Sequence, residues 1–125
     1  MSLRSPLGHA RGLGSAKDGT HHFWVQRVSA VALVPLSLWF VFSLARLGGA
    51  GYEQVLWWVS YPAVAVTLVL FIGAALYHSM LGVQVVIEDY VGNEAAKITA
   101  LLLSKFFHLV VAVASIFAVL KIALA

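Results

Sequence analysis

The chain has 125 residues, of which 62% are hydrophobic and only 10% are charged, and its mean hydropathy is +0.94. This composition excludes an ordinary soluble domain and is typical of an integral membrane protein, with room for three spans and short connections. The net charge of +3 comes from scattered Lys and Arg residues rather than a basic patch, so nucleic-acid binding has no support. Cysteine is absent, which excludes disulfides, iron–sulfur ligation and thiolate chemistry within this chain.

Residues 1–20 are rich in Gly and Ser and carry three basic residues against the single Asp18. An Arg- and Ser-containing start resembles a transit peptide, but it shows no clear amphipathic helix and no apolar stretch of a signal peptide. We therefore predict a cytoplasmic N-terminal segment over 1–20, followed by a three-helix transmembrane anchor over 21–125.

The first span is predicted over about residues 25–45, with Trp24 at the water–lipid interface. Pro35 removes one helical hydrogen bond and is expected to bend the span. Arg27, just inside the span, has two interpretations. It is either a cation that extends to the membrane surface or a cation that pairs with an anionic group of a ligand.

The second span is predicted over about residues 57–88, after a Gly-rich turn at 46–54. Trp57, Trp58 and Tyr61 form an aromatic belt where this span starts. The third span, over about residues 98–124, contains His108. That histidine either forms a hydrogen bond between helices or acts as a second ligand within the chain, and we favour the hydrogen bond.

Basic residues predict the orientation of the spans. The positive-inside rule places the flanks with more Lys and Arg in the cytoplasm. The N-terminal flank and the second connection hold most of them: Arg4, Arg11, Lys17, Arg27, Lys97 and Lys105. We therefore predict a cytoplasmic N-terminus and a C-terminus on the opposite side.

The stretch His78–Tyr90 contains the candidate functional residues. His78 and Tyr90 are twelve residues apart, or about 18 Å along a helix. If Tyr90 marks the membrane surface, His78 lies near the middle of a hydrocarbon core about 30 Å thick. His78, Gly82 and Asp89 share one helical face. A histidine beside a small residue on such a face could bind haem as an axial ligand.

This motif, His78-x3-Gly82-x-Gln84-Val85-x3-Asp89-Tyr90-Val91, resembles the second span of the small membrane-anchor subunit of succinate:quinone oxidoreductase, respiratory complex II. Arg27, the three spans and the inferred orientation extend the resemblance over about residues 20–125. It implies that His78 is an axial ligand of haem b and that Tyr90 donates a hydrogen bond to ubiquinone. It also implies that Asp89 contributes to proton delivery and that Arg27 lies near the haem propionates.

The resemblance further implies that the second haem ligand comes from a partner, the second membrane-anchor subunit of such a complex. The complex would also contain an iron–sulfur subunit and a flavoprotein subunit, and this chain alone would not oxidise succinate. We expect it in a bacterial inner membrane rather than a mitochondrial one, as part of the respiratory chain and the tricarboxylic acid cycle. Two alternatives are a non-redox structural or assembly subunit and a small transporter subunit that relays protons.

Overall fold

A computed structural model of the protein describes residues 16–125, with side chains from residue 19 onward. The described residues form four α-helices: α1 (Ala16–Arg46), α2 (Tyr52–Ser60), α3 (Pro62–Tyr90) and α4 (Glu94–Ala123). Of these, α1 from Gly19 onward, α3 and α4 are long and apolar enough to cross a membrane. The predicted all-α class with three candidate spans is confirmed. Residues 1–15 of the predicted N-terminal segment lie outside the described residues.

The second span begins later than the predicted residue 57, because the helix breaks at Tyr61. The backbone of Tyr61 is extended, with φ −67° and ψ 122°, and Pro62 is the first residue of α3. Proline disfavours a helical conformation in the residue before it, while its missing N–H is not needed in the first helical turn. The aromatic pair Trp57 and Trp58 therefore belongs to the separate helix α2.

Helix α2 packs against α3 and α4. Its Val59 is buried, whereas Trp57 is 71% exposed. The ring of Trp58 stacks on Trp39 of α1, with 6.0 Å between the ring centroids. One apolar contact side and exposed aromatic rings suit a short helix at a membrane–water interface.

Helix α3 is the centre of the arrangement. It packs against both α1 and α4, whereas α1 and α4 do not approach each other within the described residues. Phe40 of α1 stacks on Phe71 of α3, with 4.7 Å between the ring centroids. The three spans therefore form an open arrangement around α3 rather than a closed three-helix bundle.

Few side chains are shielded within the chain. The buried residues in the described part are Val59, Ala65, Leu68, Leu81, Ser29 and His108. Large apolar side chains on the outer surfaces, such as Phe42 and Phe117, are about two-thirds exposed. Because exposed apolar surface of this extent is unfavourable in water, lipid or other subunits must cover it.

Candidate functional site

His78 lies where α3 meets α1, and its ring is half-buried. The Nδ1 atom is 2.9 Å from the Oγ atom of Ser29 on α1. Ser29 is buried, and its hydroxyl donates a hydrogen bond of 2.9 Å to the carbonyl oxygen of Gln26. No side chain or backbone group of residues 19–125 forms a hydrogen bond with the other ring nitrogen, Nε2. The structure thus holds one nitrogen of the imidazole and leaves the other available.

Gly82 provides open space on the same face of α3. It lies four residues after His78, one turn further along and about 40° around the helix. A Cβ atom at Gly82 would have no heavy atom within 4 Å of it apart from the nearby backbone of its own helix and its two chain neighbours. A planar group that packed against α3 beside His78 would meet no Cβ atom at this glycine. The residues present therefore fit a haem on this face.

His108, the histidine of α4, is only 8% exposed. Its Nδ1 atom is 2.8 Å from the carbonyl oxygen of Ser104, and its Nε2 atom is 3.2 Å from the hydroxyl of Ser79 on α3. A carbonyl can only accept, so Nδ1 donates and Nε2 accepts the hydroxyl proton. The predicted hydrogen bond between helices is confirmed. Both nitrogens are occupied, which disfavours His108 as a ligand.

Asp89 and Tyr90 lie at the end of α3. Both side chains are exposed, Tyr90 to 85%, and α3 ends at Tyr90. On the turn before them, the amide of Gln84 donates a hydrogen bond of 2.8 Å to the carboxylate of Glu88. Asp89 shares the face of His78, whereas Tyr90 lies about 120° away around the helix. A carboxylate and a phenol therefore lie together at one end of α3, on the same helix as the imidazole.

Arg27 does not lie beside His78. It precedes Ser29 by two residues and so points about 200° away around α1. Its side chain is exposed, and its guanidinium carbon lies 5.0 Å from the centroid of the Phe23 ring. No carboxylate of residues 19–125 forms an ion pair with it. The charge is thus available to a lipid headgroup or to an anionic group outside this chain.

Sequence reasoning missed three polar residues near the site. Ser29 and Ser79 contact the two histidines, and His22 has a buried Nε2 atom without a hydrogen-bond partner in the described residues. His22 precedes Ser29 by seven residues, which places both on the same face of α1. The seven-residue spacing of His22 and Ser29 at the start of the first span was the available signal.

A family model provides the observation that decides the identity. The model describes the succinate dehydrogenase/fumarate reductase transmembrane subunit and matches residues 1–120. The chain belongs to this family. The resemblance noted for the stretch around His78 is therefore confirmed over nearly the whole sequence.

Relatives within the family have similar length. The succinate dehydrogenase hydrophobic membrane anchor subunit of Rickettsia bellii is 35% identical over 117 residues, which are 94% of each chain. The subunit of the same name from Paracoccus denitrificans is 35% identical over 124 residues, 99% of this chain and 95% of that one. A membrane anchor subunit of Reclinomonas americana is 30% identical over 90 residues, 70% and 75% of the two chains. No solved structure matches the chain.

These relationships establish the general role of the protein. Family membership and three candidate spans make it a transmembrane anchor subunit of the succinate dehydrogenase type. The Rickettsia and Paracoccus relatives are bacterial membrane anchors, in agreement with the predicted bacterial membrane location.

Proposed function

We propose that this anchor subunit binds one side of a haem b through the Nε2 atom of His78 and supports ubiquinone reduction at the Tyr90 end of α3. The observation that carries the proposal is the environment of His78. One ring nitrogen is held by Ser29 and the other has no partner in the described residues, beside the open face at Gly82. Haem supplies a reversible one-electron carrier when bound.

The open arrangement of the helices supports a site shared with a second anchor. His108 has no nitrogen left for iron, which agrees with a second ligand supplied by the partner, as the family resemblance implies. Because α1 and α4 stay apart, the α3 surface is accessible to such a partner. That partner is the second membrane-anchor subunit of the complex, and the two anchors together hold an iron–sulfur subunit and a flavoprotein subunit at the membrane.

Tyr90 and Asp89 are suited to quinone chemistry. Reduction of a quinone to a quinol requires two electrons and two protons. The phenol of Tyr90 donates a hydrogen bond to a carbonyl oxygen of the quinone, which gains negative charge as it is reduced. The carboxylate of Asp89 exchanges protons between water and the site. Both side chains are exposed at the end of α3, where they can reach a ligand bound between subunits.

The visible spectrum of the purified complex tests the haem proposal. A reduced-minus-oxidised spectrum of a low-spin b-type haem supports it, and a complex without that spectrum excludes it. The hydrogen bond between His78 and Ser29 also favours a second candidate, in which His78 only joins α1 to α3 in a structural anchor. That candidate predicts normal assembly of a complex without haem.

We propose that the Tyr90 end and the N-terminus face the cytoplasm, because Lys and Arg are more frequent on that side. Because the chain has no cysteine, a single introduced cysteine can be labelled without background from this subunit. A membrane-impermeant maleimide added to intact spheroplasts should label Glu53→Cys, at the opposite end, and leave Gly92→Cys unmodified. Inverted vesicles should give the reverse result. Labelling of Gly92→Cys in intact spheroplasts would reverse the proposed orientation.

Arg27 should act through its positive charge at the cytoplasmic edge. Exposed charge interactions are typically weak, so Arg27→Leu is expected to lower quinone reductase activity by about fivefold. Arg27→Lys keeps the charge and should stay within about twofold of the parent activity. The matched control is Arg46→Leu, the same change at the opposite end of α1. Equal activity in the Arg27→Leu, Arg27→Lys and parent complexes would show that Arg27 only anchors the helix in lipid.

A further inference from the structure

We infer that Ser29 is a positioning residue for the haem ligand. Its Oγ atom accepts a hydrogen bond from the Nδ1–H group of His78, and this selects the tautomer in which Nε2 carries the lone pair that binds iron. The inference rests on the proposed binding of haem by His78. It assigns to α1 control over how α3 presents its ligand.

The two hydrogen bonds of Ser29 fix the direction of the contact. A serine hydroxyl has one proton and two acceptor lone pairs. The carbonyl oxygen of Gln26, 2.9 Å away, can only accept, so the hydroxyl proton points toward it. The Nδ1 atom of His78, also at 2.9 Å, must then bring its own proton to Oγ. The opposite tautomer would place the Nδ1 lone pair against an Oγ lone pair.

This tautomer has two consequences for a bound metal. The neutral imidazole has its proton on Nδ1, so Nε2 is the free base and needs no deprotonation to coordinate iron. A hydrogen bond from the remote nitrogen of a ligating histidine also fixes the ring plane and raises the basicity of the ligating nitrogen. Because Ser29 is buried, water cannot readily replace its hydroxyl as the acceptor.

At His108 the serine hydroxyl forms its hydrogen bond in the opposite direction, as a donor to the imidazole. There the carbonyl of Ser104 takes the Nδ1 proton, and the hydroxyl of Ser79 donates to Nε2. The lone pair that could bind a metal is consumed by a hydrogen bond. The contact with Ser29 thus leaves His78 able to bind a metal, whereas the contact with Ser79 makes His108 a structural residue.

The experiment compares Ser29→Ala, Ser29→Thr and Ser37→Ala in the purified membrane complex. Loss of a partner of this kind typically weakens metal binding about 10- to 100-fold. We therefore expect Ser29→Ala to lose haem at least about tenfold faster to an external haem acceptor. The haem midpoint potential should rise, because the less basic imidazole stabilises the ferric state less. The ferric low-spin EPR signal should shift for the same reason.

The other two variants separate the hydrogen bond from packing. Ser29→Thr keeps a hydroxyl at the same position and should restore the potential, the EPR signal and haem retention. Ser37→Ala removes a hydroxyl of the same helix that has no hydrogen bond in the described residues, and it should behave as the parent. If Ser29→Ala does not assemble, Ser29→Cys preserves most of the volume with a weaker acceptor, and its potential should shift in the same direction.

A parallel His78→Leu complex separates the role of His78 as haem ligand from the role of Ser29 as its hydrogen-bond partner. Unchanged haem in His78→Leu overturns the proposed ligand and, with it, the role of Ser29. Loss of haem in His78→Leu, together with parent-like potential, EPR signal and haem retention in Ser29→Ala, overturns only the inference about Ser29. Lower thermal stability of Ser29→Ala without any change in the haem signals would likewise assign Ser29 to helix packing alone.

Discussion

Replacement of His78 by leucine is expected to abolish the low-spin haem spectrum of the complex while the subunit still inserts. Removal of an axial ligand exceeds the effect of removing its hydrogen-bond partner, so retained haem should fall by more than about tenfold. Leucine is favourable at the centre of a membrane-spanning helix. The hydroxyl of Ser29 keeps its bond to the carbonyl of Gln26 in this variant, so no buried donor is left unpaired. Absorption and EPR spectra of the purified complex measure the result.

The matched control is His108→Leu, the same substitution on α4. His108 is held by Ser79 and Ser104, and its loss removes packing interactions but no ligand. The hydroxyl of Ser79 can turn to the carbonyl one turn earlier on its own helix. Haem content near normal in His108→Leu, with haem lost in His78→Leu, supports the assignment. An unchanged haem spectrum in His78→Leu would remove His78 as a ligand.

The sequence predicted the class and number of the membrane-spanning helices because that signal is local. A long uncharged stretch such as the one around Val66 and Leu70 forms a helix in lipid, because a helix pairs all of its backbone N–H and C=O groups within the segment. The start of α3 was missed because apolar composition continues from Trp57 into the span. The break at Tyr61 comes from the conformational preference of the residue before Pro62, which hydropathy does not register.

The candidate site was predictable only in part, because the sequence predicts what lies on one helix but not how two helices contact each other. Helical periodicity places His78, Gly82 and Asp89 on one face, and this depends on α3 alone. The contact between Ser29 and His78 joins residues 49 positions apart. It depends on the rotation of α1 about its own axis, which is set by packing such as Phe40 on Phe71. A weakly amphipathic, almost uniformly apolar helix gives little information about that rotation.

Replacement of Tyr90 by phenylalanine is the strongest test of the quinone site. Phenylalanine keeps the ring at the end of α3 and removes only the hydroxyl. A hydrogen bond that strengthens as the quinone oxygen gains charge can contribute about 2.7–4 kcal/mol to the transition state. We therefore expect quinone reductase activity to fall by about tenfold or more, at about 1.4 kcal/mol per decade. Steady-state turnover with a soluble ubiquinone analogue measures the loss.

Two controls show whether the loss is specific to the quinone site: an assay that bypasses the quinone, and the same substitution at the other end of α3. Succinate oxidation with an artificial acceptor that bypasses the quinone should be unchanged, because it depends on the soluble subunits. Tyr61→Phe removes the same hydroxyl at the opposite end of α3, where the side chain is also exposed, and it should leave both activities unchanged. Normal quinone turnover in Tyr90→Phe would exclude the hydrogen bond. Loss of both activities together would instead make Tyr90 a structural anchor at the membrane surface, because the artificial acceptor takes electrons before they reach the quinone.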